Sequence, residues 1–194
     1  PSDDKEILSL EEMAAEFDLH KVHKAGARFS KEKAEWFNHQ YLQKHSNEEL
    51  LESFKNLEET KNINLSDEKL LKIIGLMKER ATFVKDIYTQ GKFFFEAPAA
   101  YDEKAVKKAW NEETASIMTE LSEKLNTTEF KSEILKEEIH HFVEEKGLGF
   151  GKVMMPLRLA LVGELKGPDV PDLLEILGKE ESLTRLKLAI EKIK

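Results

Sequence analysis

The apolar run Val153–Val162 restricts how this chain can fold more than any other stretch of the sequence. Within it only Pro156 and Arg158 interrupt the apolar side chains, and glycines flank it on both sides. A helix over Gly151–Val162 would be apolar almost all round, so we expect it to be buried on most sides. Pro156 is tolerated only near the start of such a helix. Arg158, the one cation, therefore needs an acidic partner or an external anion.

Helix start and stop signals follow this run. The loop from Gly163 to Pro168 contains two glycines, Gly163 and Gly167. Because glycine has no side chain, this loop allows a ligand to approach the main chain closely. Asp169 is a suitable N-cap for the next helix, Gly178 ends that helix, and Lys179 opens the last one.

A single long helix is predicted from Asp67 to Gln90, with Ser66 as its N-cap and Gly91 as its stop. Its apolar residues recur every three or four positions. At about 100° per residue, Arg80 would lie roughly 80° from the centre of that apolar stripe, on the shoulder between core and solvent. An arginine on a shoulder can bury its stem and present its guanidinium outward.

Local capping patterns mark the other helix starts. Serines that precede a glutamate by three residues form capping boxes at Ser9 and Ser46, and Ser30 is a further N-cap. Asn111 and Thr127 are predicted to cap two later helices.

No segment shows the alternation of a strand, and no repeat period is present. The sequence therefore predicts an all-α fold built from two consecutive helical bundles divided near Asn126. Residues 46–125 would form the first bundle and residues 126–194 the second, with residues 1–45 as a separate leading segment.

The charge distribution is uneven. The chain of 194 residues has a net charge of −8, yet residues 146–194 carry nine basic and seven acidic side chains. An acidic protein with a locally basic end can still bind an anionic partner there. The absence of cysteine excludes disulfides, thiolate metal sites and cysteine nucleophiles, and no apolar run reaches the length of a membrane span. We expect a cytoplasmic protein with no membrane partner.

Motifs for nucleotide or metal chemistry fail on their spacing. Gly147 and Gly151 are separated by three residues and Val153 follows Lys152, whereas a P-loop has four residues between its glycines and a serine or threonine after the lysine. His140 and His141 are adjacent, so on a helix they cannot share a metal. These tests leave binding as the favoured function and make an independent enzyme built on the glycine loop a poor alternative.

Three segments, in this order, resemble one protein family: FDLHKVHKAGARFSKEKAEWFNHQYL, LMKERATFVKDI and GFGKVMMPLRLALVGELKGPDVPDLLEILGKEESLTRL. Together they are similar to the C-terminal anticodon-binding region of bacterial-type glutamyl-tRNA synthetases, class I enzymes that attach glutamate to tRNA with ATP. The resemblance covers essentially the whole chain. It implies that residues 1–45 are the end of the stem-contact region and that both bundles bind the anticodon.

The resemblance also implies what this chain lacks. The ATP-binding signatures of class I synthetases do not occur in it, and it opens at Pro1 without an initiator methionine, which indicates a processed chain or an excised fragment. We therefore expect a non-catalytic fragment with no cofactor and no metal of its own. Its parent would use ATP and Mg. Its predicted partners are tRNA(Glu) and an upstream catalytic domain of the same polypeptide, and we expect a monomer.

Site residues follow from the same resemblance. Arg80 falls where the discriminating enzymes of the family place the arginine that reads the third anticodon base and so separates glutamate tRNA from glutamine tRNA. Arg158 falls on the arginine near the middle base, and Gly167 with Pro168 falls on the loop whose backbone contacts the anticodon. Single-stranded RNA bases are read by arginine and backbone groups.

Lys152 and Lys179 are candidate phosphate contacts, which would add salt-sensitive affinity without specificity. The alternative is a helical protein-interaction scaffold that binds no RNA, in which Arg158 closes an internal salt bridge.

Overall fold

The computed structural model describes residues 6–21, 26 and 28–193. No strand occurs among these residues, which form eleven α-helices and three short 3₁₀ turns. The helices are α1 (Leu10–Glu16), α2 (Lys31–Lys44), α3 (Asn47–Lys55), α4 (Asp67–Lys78), α5 (Val84–Gln90), α6 (Glu103–Ala109), α7 (Thr114–Thr127), α8 (Ser132–Glu145), α9 (Gly151–Val162), α10 (Val170–Leu177) and α11 (Lys179–Lys192). The 3₁₀ turns are Leu19–Lys21, Glu58–Thr60 and Lys92–Phe94. The predicted all-α class is confirmed.

Local capping signals in the sequence correspond to real helix starts. The capping boxes at Ser9 and Ser46 are both complete, with the serine hydroxyl accepting from the backbone and the glutamate accepting from the serine N–H. Ser30 and Ser66 also cap their helices through their side chains. Each cap satisfies backbone donors that the first helical turn leaves without partners.

The predicted single helix from Asp67 to Gln90 is wrong, because it is broken into α4 and α5. The carboxylate of Asp86 accepts hydrogen bonds from the backbone N–H of Thr82 at 2.9 Å and of Phe83 at 2.8 Å. These bonds start a new helix at Val84 instead of continuing the old one.

Side chains of α2 hold this break open. Gln43 donates to the carbonyl of Lys78 at 2.6 Å, a ring nitrogen of His39 lies 2.8 Å from the carbonyl of Ala81, and Asn38 donates to the carbonyl of Thr82. Because these carbonyls accept hydrogen bonds from α2, they do not require the N–H groups of a continuing helix as donors. Arg80 consequently lies exposed in the turn between α4 and α5, and its predicted place on a helix shoulder is wrong.

The predicted capping of the eighth helix by Thr127 is also wrong. Thr127 is the last residue of α7, and α8 begins at Ser132. Its start is held by α10 instead, since the Ser132 N–H donates to Glu175 at 2.6 Å and its hydroxyl donates to Asp172 at 2.5 Å. Asn111 lies two residues before the N-cap position, which is Glu113, but its side-chain oxygen does accept from the N–H groups of Glu113 and Thr114 at the start of α7.

Helix α9 occupies the predicted range and is buried on most sides. Pro156 is the sixth residue of α9 and thus lies inside it, beyond the first turn where it was expected. A proline there removes one intrahelical hydrogen bond. Gly163 ends the helix with a φ of 86°, a conformation that favours glycine.

Helix α9 packs against four other helices, α6, α7, α10 and α11. Helices α3, α4 and α5 pack against one another, and α10 joins the two groups by contacting α4 and the Lys92–Phe94 turn. The boundaries proposed from sequence at residues 45 and 125 remain predictions. None of the described helices is both long and apolar enough to cross a membrane.

Candidate nucleic-acid interface

Arg158, Gly167 and Pro168, which the sequence singles out, lie together. Arg158 is a half-buried residue of α9, and its guanidinium donates through Nη1 to the carbonyl of Pro168. Gly167 has a φ of 150°, and a Cβ added there would lie 3.2 Å from Nη1 of Arg158. The loop backbone therefore holds the guanidinium in place, and the small residue at position 167 leaves room for it.

Arg80 belongs to the same neighbourhood. Burial lowers the pKa of Arg158 from its ordinary value, the nearby carboxylate of Asp169 opposes this shift, and the positive charge of Arg80 adds to it. Arg80 is exposed, and within residues 6–21, 26 and 28–193 its side chain forms no hydrogen bond or ion pair. Two cations near enough to repel each other, one of them unpaired, make this surface attractive to an anion.

The loop that carries Gly167 is fixed at its start by Gly163. A Cβ added to Gly163 would lie 2.9 Å from both the Ala100 carbonyl oxygen and the Cβ of Pro98. The carbonyl of Gly163 also accepts from the N–H of Asp102 at 2.9 Å. Close backbone contact with the 98–102 segment thus determines where the loop after α9 starts.

Arg185 is a structural residue that the sequence reading missed. Its side chain is 3% exposed and donates from Nη1 to the carbonyl of Phe93 at 2.7 Å and of Leu161 at 2.8 Å. Its Nε donates to Glu181 at 2.7 Å. Helical spacing could have revealed it, since Ser182 and Ala189 at three residues before and four after are also buried.

The side chain of Phe93 connects this buried cation to the site, because its ring edge would lie 4.0 Å from a Cβ at Gly167. Arg185 therefore ties α11 to the end of α9 and to the turn that packs beneath the loop.

Lys152 and Lys179 lie apart from the arginines. Lys152 is exposed at the opposite end of α9 from Gly163, six residues before Arg158. Lys179 is the first residue of α11, just after the end of α10. Its Nζ donates to the carbonyl of Asn126 at 2.9 Å and lies 5.6 Å from the centre of the Phe130 ring. Lys179 thus has an internal role in joining α11 to the α7–α8 connection.

The internal salt bridge expected for a protein scaffold is not formed in the described part of the chain. Arg158 takes a backbone carbonyl, and no carboxylate lies within ion-pair distance of it there. No group of three His, Cys, Asp or Glu side chains able to hold a metal occurs among the described residues.

Arginine guanidiniums are among the groups that contact unstacked RNA bases in proteins. A family model described as an anticodon binding domain matches residues 40–190. The chain therefore belongs to the anticodon-binding domain family.

Its relatives include glutamate–tRNA ligases, and the chain is homologous to their C-terminal part. That of Christiangramia forsetii is 43% identical over 195 residues, covering 100% of this chain and 39% of the relative. That of Flavobacterium johnsoniae is 47% identical over 188 residues, covering 96% and 37%.

A crystal structure of a glutamate tRNA ligase from Elizabethkingia meningosepticum, in complex with its amino acid, superposes with a TM-score of 0.96. Its sequence is 66% identical, and the match covers 100% of this chain and 39% of that one. The chain thus spans well under half the length of the relatives that it matches. The resemblance inferred from sequence motifs is confirmed.

Proposed function

We propose that the protein reads the anticodon of glutamate tRNA as the anticodon-binding part of a glutamate–tRNA ligase. The observation that carries this proposal is the contact of Arg158 with the Gly167–Pro168 loop, with the charge of Arg80 near enough to act on Arg158. These residues come from three separate stretches of chain, and they combine the exposed charge of Arg80 with a half-buried arginine that is held by the loop backbone.

The chemistry suits unstacked bases. Anticodon bases can be splayed out, and their edges offer acceptors to guanidinium donors and donors to backbone carbonyls. We assign the third anticodon base to Arg80 and the middle base to Arg158, with the backbone of Gly167 and Pro168 beside it. A well-placed arginine contact contributes about 1–3 kcal/mol of discrimination between bases, by analogy with duplex readout.

The reaction itself belongs to the rest of the proposed ligase. We propose that an upstream catalytic domain of the same polypeptide binds ATP and Mg and attaches glutamate to the tRNA, while this chain contributes binding and selection of tRNA(Glu). The proposed setting is cytoplasmic translation by a monomer.

Lys152 and Lys179 are proposed phosphate contacts. Because contacts to phosphates release counterions, each would make binding more sensitive to salt without changing base preference. The hydrogen bond of Lys179 to Asn126 would have to be shared or exchanged when RNA binds.

The test compares binding of glutamate and glutamine tRNAs at two salt concentrations. Arg80→Ala should lower the preference for glutamate tRNA by about 1–3 kcal/mol, with a smaller loss of total binding. Arg80→Lys is the matched control for charge, because it keeps the cation but lacks the planar fork. It should lose the preference while retaining the salt-sensitive part of the affinity. An equal loss of affinity for both tRNAs with Arg80→Ala would contradict the role assigned to Arg80.

A further inference from the structure

A basic cleft, separate from the arginines, lies where the end of α6 meets the start of α9. It is a cavity of about 230 Å³. The side chains that give it its chemistry are Lys107, Lys108, Trp110, Asn111, Glu113 and Lys152. Three of these six are cationic and one is acidic, so the cleft is positive on a protein whose net charge is −8.

The lysines of this cleft are available to a ligand. Lys107, Lys108 and Lys152 are exposed, and none forms an ion pair within the described chain. Some other lysines are engaged by carboxylates, as where Lys124 lies 2.8 Å from Glu145. Three unpaired lysines around one cleft make it attractive to an anion.

The size and walls of the cleft indicate what kind of anion fits. Pockets for drug-sized ligands occupy about 300–1,000 Å³, so this smaller cavity suits a phosphate with part of its sugar better than a whole cofactor. Trp110 lines one wall and is partly buried, and its indole offers an N–H donor and an apolar face. Phosphate beside a sugar is the repeating unit of an RNA strand.

The cleft lies along the same face of α9 as Arg158. Gly151, Met155 and Arg158 follow one another at intervals of four and three residues along α9 and therefore share a face. Gly151 and Met155 line the cleft. At 1.5 Å per residue, Gly151 lies about 10 Å along the helix from Arg158. A strand held at Arg158 could thus continue along α9 into the cleft.

We propose that the α6–α9 cleft binds a backbone phosphate of the RNA strand next to the anticodon nucleotides at Arg158. This inference rests on the proposed function and extends it to Lys107, Lys108 and Trp110. The cleft contributes affinity and positions the strand, while the arginines distinguish bases.

The test measures binding of a glutamate anticodon stem–loop RNA to the protein across a range of salt concentrations. The double variant Lys107→Ala, Lys108→Ala should bind roughly tenfold more weakly, as expected for loss of about one charge-assisted contact. The slope of log affinity against log salt should fall by about 0.7 for each lost phosphate. The preference for glutamate over glutamine tRNA should not change.

Two further variants serve as controls. Lys136→Ala with Lys187→Ala removes the same charge from exposed positions on α8 and α11 and should leave the slope unchanged. Lys107→Arg with Lys108→Arg keeps the charge and should retain binding. If the Lys107→Ala, Lys108→Ala variant has the same affinity and the same salt slope as the Lys136 and Lys187 control, the proposal is overturned.

The failure of this inference can be told apart from failure of the proposed function. If Arg158→Ala weakens binding and the cleft variant does not, the cleft alone is rejected. If the unmodified protein does not bind the stem–loop, both proposals are rejected together.

Discussion

Arg185 offers the sharpest test of how the site is supported. Its guanidinium donates to the carbonyls of Phe93 and Leu161, and it is 3% exposed. Replacing it by methionine, as Arg185→Met, keeps an unbranched stem of similar length and removes the donors. Both carbonyls would then stay buried without the partner that α11 supplies.

The expected cost follows from those two bonds. A hydrogen bond that involves a charged group contributes about 1.5–3 kcal/mol, so the free energy of unfolding should fall by about 3–6 kcal/mol. Glu181 adds little to this loss, because its side chain is 44% exposed and can be solvated again. For a domain of this size, each kcal/mol corresponds to roughly 2–4 °C in Tm, so Tm should drop by at least about 6 °C.

Chemical denaturation followed by circular dichroism measures this loss. Lys187→Met on the same helix is the matched control, because Lys187 is exposed and its replacement should change stability by no more than about 0.5 kcal/mol. A loss below about 1 kcal/mol with Arg185→Met would refute the reasoning. It would mean that water or a small shift of α9 satisfies the two carbonyls.

Two further predictions concern stability. Gly163→Ala should destabilise the protein by about 2 kcal/mol or more, since a Cβ at a φ of 86° is strained and would meet the Ala100 carbonyl at 2.9 Å; Gly149→Ala, with nothing within 4 Å, is the control for the same denaturation assay. The pKa of Glu175 is lowered from its ordinary 4.5, chiefly by the hydrogen bond from Lys72 and next by the backbone of Ser132. A lowered folded-state pKa means that this stabilisation is present above pH 4.5 and is lost as the pH falls below it. The stability difference between the protein and Glu175→Gln should therefore shrink on acidification from pH 6, and a difference independent of pH would contradict this.

Elements defined by local chemistry could be predicted from the sequence. The range of α9, the cap at Asp169 and the end of α10 at Gly178 all depend on residues within one or two turns of the boundary. The same holds for the serine capping boxes at Ser9 and Ser46, whose two hydrogen bonds join residues three apart.

Elements defined by distant side chains could not be predicted. The apolar spacing of Met77, Ala81 and Val84 runs through the break between α4 and α5, and no glycine or proline marks it. Two of the groups that hold the break open are His39 and Gln43, roughly forty residues earlier in the chain. The spacing of apolar residues predicts which face of a helix is buried. It does not predict which backbone carbonyls accept hydrogen bonds from another helix.

The candidate site shows the same division. A partner for Arg158 could be expected from its place in an apolar helix, but the partner is the carbonyl of Pro168 and not a carboxylate. That Arg80 lies near Arg158 depends on tertiary packing, and only the family resemblance predicted that both serve one site.

The two arginines are prepared for binding in different ways. The hydrogen bond to Pro168 holds Arg158 before any ligand arrives, which avoids part of the roughly 0.5–1.5 kcal/mol needed to immobilise a flexible side chain. Arg80 is exposed and unpaired among the described residues, so it must lose that freedom on binding. The repulsion that Arg80 exerts on Arg158 would be relieved by an RNA held between them. In the proposed complex, a base that Arg80 fails to match would leave the ordering cost of Arg80 without compensation, whereas Arg158 would still bind. For this reason we propose that selection between tRNAs depends on Arg80 more than on Arg158.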